Sequence, residues 1–253
     1  MDWPTVPETE DSSWKLLYMI GGIAALLAVF VFRRNCSAEL GLMSSFGVIG
    51  GLPTAPLVSA SDWFAFMQAK PLIGLILLNL FDLFEYALLG LIFLAVYIAL
   101  RQVNRSAMLI AVTCGLVGIT VYFASNQAFA MFALSKRYAA AATNTQHSIY
   151  LAAGEALLAV NNPEAVYQGT GIYVSYFLIL FAGLIISFVM LRSDVFSKAT
   201  AVVGILANGI GLCYFIGLSF AWELYWIPTP ISAPFRVIWY FLIALRLFKL
   251  AKS

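Results

Sequence analysis

Charge is what this sequence has least of. Only 10% of its 253 residues are Asp, Glu, Lys or Arg, where a soluble domain carries roughly a quarter. A water-facing surface cannot be built from so few charges, so the outside of the folded chain must meet lipid. Histidine is nearly absent too. His147 stands alone, and Cys36, Cys114 and Cys213 are isolated and odd in number. That excludes a multi-histidine metal centre, a zinc-binding Cys pair and a disulfide framework; no metal is expected. No GxSxG elbow, Walker loop or GxGxxG is present, so no catalytic residue and no cofactor are expected. The last apolar run has Arg246 and Lys249 only near its end and no central lysine, so a retinal Schiff base has no attachment point. A net charge of +2 with no basic cluster beyond Arg33-Arg34 argues against nucleic acid.

What the chain does have is apolar length. Hydrophobic residues make up 62% of it, and its mean hydropathy is +0.93. Trp14, Tyr18, Trp63, Trp222, Tyr225 and Trp226 stand at the ends of apolar runs, where amphipathic rings favour the headgroup zone. A helix crosses the hydrocarbon core with about 20 residues. Six runs qualify: 16–32, 71–100, 106–134, 170–191, 199–220 and 235–250. Residues 1–15 form an acidic tail with Asp2, Glu8, Glu10 and Asp11, which is the opposite of a signal peptide's basic start.

A seventh stretch, 38–60, is apolar but rich in Gly and Ser, and it holds Pro53 and Pro56. Counting it as a broken crossing gives seven spans with the N-terminus outside and the C-terminus cytoplasmic. Nine of the 14 cations then fall inside and five outside, as the positive-inside rule expects. The predicted fold is therefore all-α: a polytopic transmembrane helix bundle of about seven spans, forming a single membrane domain over 16–253. Its longest connection, 135–169, contains a predicted amphipathic helix over 146–160 on the outer face. Ile149, Ala153 and Leu157 share a stripe there, with Glu155 off it. Gly47 and Gly51 make a GxxxG step suited to close helix approach.

Two acids interrupt the third run, in LLNLFDLFEYALLG. Asp82 and Glu85 are three residues apart, hence on one helical face, with Asn79 a turn earlier. The run's length places Asp82 near mid-bilayer. A carboxylate at that depth must be paired, hydrated or protonated, and so marks either a functional site or a buried structural tie. Tyr122, Ser125 and Asn126 share a face of the fourth run and come to similar depth if the two runs pack antiparallel. The candidate ligand- or ion-binding set is Asp82, Glu85, Asn79, Tyr122 and Asn126. Glu223 and Arg236 flank the aromatic loop WELYWIPTPISAPFR and are placed to pair across it.

The stretches LIFLAVYIALRQVNRSAMLIAVTCGLVG (91–118), LRSDVFSKATAVVGILANGIGLCYFIG (191–217) and SAPFRVIWYFLIALRLFK (232–249) resemble a bacterial family of multi-pass membrane proteins known as domain of unknown function 4386. The resemblance extends over most of 14–250 and implies a polytopic fold in a bacterial inner membrane, with no activity to carry over.

Two functional readings follow. One is a transporter or binding protein for a small molecule, ion or proton, working through the acids of the third run. The alternative is a non-catalytic accessory or partner subunit of a membrane complex. Its partners are the lipid bilayer in the first reading and other membrane proteins as well in the second. A membrane enzyme acting on lipid or isoprenoid through Glu223, Glu155 or His147 lacks any spacing that chemistry demands.

Overall fold

The computed structural model describes residues 9–35, 52–53, 55–163, 169–220 and 222–252. In chain order the elements are α1 (Thr9–Asn35), α2 (Ala60–Ala69), α3 (Pro71–Leu77), α4 (Leu80–Leu100), α5 (Arg105–Ser125), α6 (Ala128–Ala139), α7 (Asn144–Val160), α8 (Thr170–Leu191), α9 (Lys198–Phe220), a 3₁₀ turn (Trp222–Leu224) and α10 (Pro228–Lys252). Among the described residues the fold is all-helical, with no strand. Five stretches are long and apolar enough to cross a membrane: α4, the α5–α6 stretch, α8, α9 and α10. The apolar part of α1, Trp14–Phe30, is shorter. Of the expected 38–60 crossing, residues 38–51 and Thr54 lie outside the described residues, as do Gly47, Gly51 and Cys36.

The chain divides into two compact units. The first comprises residues 1–30, 86–119 and 177–253. Its core is aliphatic and aromatic, with Ala24, Ala28, Phe93, Val96, Met108, Ile186, Tyr240 and Ile243 among its buried members. Small residues let these helices approach closely. Gly115 lies against the Phe93 ring, which joins α4 to α5; Gly183 meets Asn208 and Gly204 meets Ser187, which joins α8 to α9; Gly204 also meets Trp239, which joins α9 to α10. Gly90 also faces Ile119 and Gly211 faces Arg236, so in each pairing the residue numbers run in opposite directions and these chain-adjacent helices are antiparallel.

α1 closes against both α4 and α10. Gly21 lies against Ala95 and Leu247, and Gly22 against the Phe248 ring. At the start of α1, the Arg101 guanidinium stands 5.2 Å from the centre of the Trp14 ring. The beginning of α1 therefore meets the end of α4 and the end of α10. The arrangement expected from the sequence, with Trp14 outside and Arg101 cytoplasmic, sets these two residues on opposite faces. A helix of α4's 21 residues would hold those two faces about 30 Å apart, and a cation–π contact cannot bridge that distance.

The second unit comprises residues 31–85 and 120–176. It packs α2, α3, α6 and α7 around Trp63, Phe64, Met67, Leu78, Met131 and Leu158. The 146–160 helix exists, as α7. Gly154 and Leu158 are buried while Ile149 is 59% exposed. The reason is close packing on α2: a Cβ at Gly154 would lie 2.7 Å from both the Ala60 Cβ and the Phe64 ring. Glu155 gains a specific role from the same docking, since its Oε1 accepts the Ala60 backbone N–H at 2.7 Å. It supplies an acceptor to the open N-terminus of α2, where helix amides have no partner of their own.

That terminus is also closed locally. The Asp62 N–H donates to Ser59 Oγ (3.2 Å), while Ser59 N–H and Oγ–H both donate to Asp62 Oδ2 (2.9 and 2.7 Å). This is a capping box. The Ser59 hydroxyl first, and its backbone N–H second, hold the Asp62 carboxyl below the ordinary value of 3.8. A lowered value makes the box strongest above pH 3.8 and removes it as pH falls through the folded-state value. Protection of the Ser59 amide against hydrogen exchange is expected to drop below that pH. Asp62→Asn should show the loss at neutral pH with no further dependence on acid; unchanged protection in Asp62→Asn would refute the assignment.

Candidate functional site

The 71–100 run is not one helix. α3 ends at Leu77, and Asn79 adopts φ +64° before α4 begins at Leu80. This left-handed conformation is costly for most side chains and tolerated by Asn, whose short amide bonds locally. The break moves the candidate acids. Asp82 is the third residue of α4 and lies in its first turn, where the helix dipole favours an acid. Eighteen residues separate it from Leu100, a rise of about 27 Å. Asp82 therefore sits near one end of the spanning helix, not at its middle as the uninterrupted run implied.

The fourth run breaks as well. α5 stops at Ser125 and α6 starts at Ala128. Asn126 manages this break. Its backbone N–H donates to Tyr122 O (2.9 Å), and its Oδ1 accepts the Ala128 N–H (3.1 Å), closing the start of α6. Its remaining amide group, Nδ2, donates to the Asn79 carbonyl at 3.1 Å. Tyr122, 2% exposed, donates its hydroxyl to Asp82 Oδ2 at 2.7 Å. Two helix breaks are thus laced together at one level by two side-chain bonds.

Four of the five candidate residues, Asn79, Asp82, Tyr122 and Asn126, meet directly in this layer. Glu85 is 6% exposed and stands one turn further along the same face of α4. Sequence reasoning missed two contributors on α8. A Cβ at Gly171 would collide with Ser125 Oγ, so the bare glycine brings the first turn of α8 against the layer. One turn on, Ser175 is 0% exposed, and its Oγ has no partner among the described residues. The only local signal was a Gly and a Ser four apart at the head of an apolar run. Asn161 is also missed: it is 1% exposed, with neither amide atom bonded among the described residues.

Other expected sites are placed differently. Arg236 does not sit on the loop with Glu223. α10 begins two turns earlier, at Pro228, and Arg236 Nη2 packs beside Gly211 of α9. His147 lies edge-on to the Tyr138 ring at 4.7 Å, fastening α7 to α6. Cys114 and Cys213 are free thiols. Among the described residues, no three His, Cys, Asp or Glu side chains gather as metal ligands. No family model, curated protein or solved structure matches the chain.

Proposed function

We propose that this chain is a multi-pass membrane protein that binds or carries a proton or small cation through Asp82 and Glu85. The reading rests chiefly on the laced pair of helix breaks, which sets an acid, a buried tyrosine hydroxyl and two amides at one level. Interrupted helices beside an acid are a recurrent way of building transport sites, because freed backbone and side-chain oxygens can replace an ion's water. The buried Ser175 hydroxyl adds an acceptor on the adjoining helix. Asp82's place in the first turn of α4 gives the site direct access from the membrane surface at which that helix starts.

The topology that goes with this reading has six crossings among the described helices: α1, α4, α5, α8, α9 and α10. Trp14 and Arg101 share a face, so the number of crossings between them is even. α1 and α4 supply an even number. Both termini then lie on the cytoplasmic side, and eight of the 14 cations lie there too. Membership of the domain of unknown function 4386 family, and with it a bacterial inner membrane, is part of the proposal and is carried by the three resembling stretches.

The test is flux or binding in proteoliposomes. Asp82→Asn and Glu85→Gln are each expected to lower proton or monovalent-cation movement at least about tenfold, the scale of losing one charged ligand. Equal flux in wild type and both variants would sink the proposal. A second reading, the partner subunit, draws on Phe220 and Ile216, 88% and 61% exposed one turn apart on α9. An apolar ridge so open suits a neighbouring membrane protein, and a stoichiometric co-purifying chain would favour that reading.

A further inference from the structure

The antiparallel first unit collects cations at one end. The starts of α1, α5 and α9 and the ends of α4, α8 and α10 lie together there, carrying Lys15, Arg101, Arg105, Arg192, Lys198, Arg246, Lys249 and Lys252. Against these stand three acids among the described residues, Glu10, Asp11 and Asp194. The opposite end of the same unit holds one cation, Arg236, and one acid, Glu223.

Two of the eight cations are already engaged. Arg101 covers the Trp14 ring, and Lys198 Nζ donates to the Leu191 carbonyl at the end of α8. The other six form no ion pair among the described residues. Three of those line one ridge of α10, at Arg246, Lys249 and Lys252, spaced three apart over its last two turns. Arg246 is half-buried, and its Nε is enclosed with no bonding partner among the described residues. Lys15 joins this ridge from α1: the Gly22–Phe248 contact sets the register, and seven residues back along α1 is a rise of about 10 Å, level with the end of α10.

These charges sit where spanning helices leave the hydrocarbon. The groups found at that depth are lipid phosphates, which a guanidinium engages with paired N–H donors and an ammonium as a point charge. We propose that this end of the first unit binds anionic phospholipid headgroups, with Arg246, Lys249, Lys252 and Lys15 as the principal contacts. The proposal rests on the bundle's helix directions and not on the acid site.

Native mass spectrometry of the protein released from nanodiscs of equal phosphatidylglycerol and phosphatidylcholine tests it. Wild type is expected to retain phosphatidylglycerol about fivefold or more over phosphatidylcholine, since each basic residue near an anionic surface is worth about 1 kcal/mol. The triple variant Arg246→Gln, Lys249→Gln, Lys252→Gln should bring the ratio close to one. The variant Arg246→Lys, Lys249→Arg, Lys252→Arg should keep it. A control triple in the second unit, Lys70→Gln, Lys136→Gln, Arg137→Gln, should leave it unchanged. Should the neutralised triple fail to fold, raising ionic strength on wild type must erase the preference. No preference in wild type, or equal losses in both triples, would overturn the proposal. Lipid retention counts both leaflets, so this result is independent of which face is cytoplasmic and of any flux measurement.

Discussion

In a cysteine-free background, single cysteines at Lys15 and Lys252 are expected to react with an impermeant maleimide from one side of the membrane, and one at Glu223 only from the other. The effect is all-or-none. It follows from a short chain of contacts: Trp14 beneath Arg101, Gly21 against Ala95 and Leu247, Gly22 against Phe248. Trp14 in the second turn of α1 meets the end of α4, and Gly21 and Gly22, two turns further along, meet the last two turns of α4 and α10. α9 leaves that face at Lys198 and reaches Phe220 after 23 residues, a rise of about 34 Å, which puts the turn containing Glu223 on the opposite side of the same unit. The seven-crossing arrangement predicts instead that positions 15 and 223 react together and 252 apart. The three labels thus separate the two topologies with no intermediate outcome.

Gly204→Leu is expected to destabilise the first unit by about 3 kcal/mol or more, at the upper end of what overpacking a core costs. A Cβ at this position would collide with Ser187 Oγ and with the Trp239 indole at once, so relief requires α9 to part from both α8 and α10. Trp239 is 2% exposed and Ser187 is 0% exposed, and the Ser187 hydroxyl is committed to the Gly183 carbonyl at 2.7 Å. Neither can swing into open space. Gly209, on another face of α9, is the control, because its Cβ would meet only the Leu184 side chain at 4.0 Å. Gly209→Ala should be neutral or slightly stabilising, since Ala is the better helix former. Thermal unfolding in detergent measures both; a Gly204→Leu midpoint within experimental error of wild type would refute the packing argument.

The helical, lipid-facing character of this chain was legible in the sequence because it depends on composition and run length. Ten per cent charge and runs near 20 apolar residues leave few physical options. The polar layer was partly legible for a related reason. Acids, amides and a tyrosine inside apolar runs are conspicuous, and helical spacing shows which of them share a face. Asp82, Tyr122, Asn79 and Asn126 were therefore identifiable as a set before their bonds were known.

Depth and direction were not legible. Asn79 and Asn126 sit in runs whose apolar content continues past them, so hydropathy reads through both breaks. Only the φ of +64° and the capping bond to Ala128 show that the helices stop there, and that shifts Asp82 from the middle of a long run to the first turn of α4. The parity of the crossings escaped for a deeper reason. Positive-charge counts of nine against five and eight against six point the same way and differ too little to choose between arrangements. The contacts that bear on the choice run through Gly21 and Gly22, small residues with no side chain to mark them in a hydropathy profile. Composition determined the solvent this protein lives in; which helix ends share a face was decided by close contacts between residues far apart in the chain.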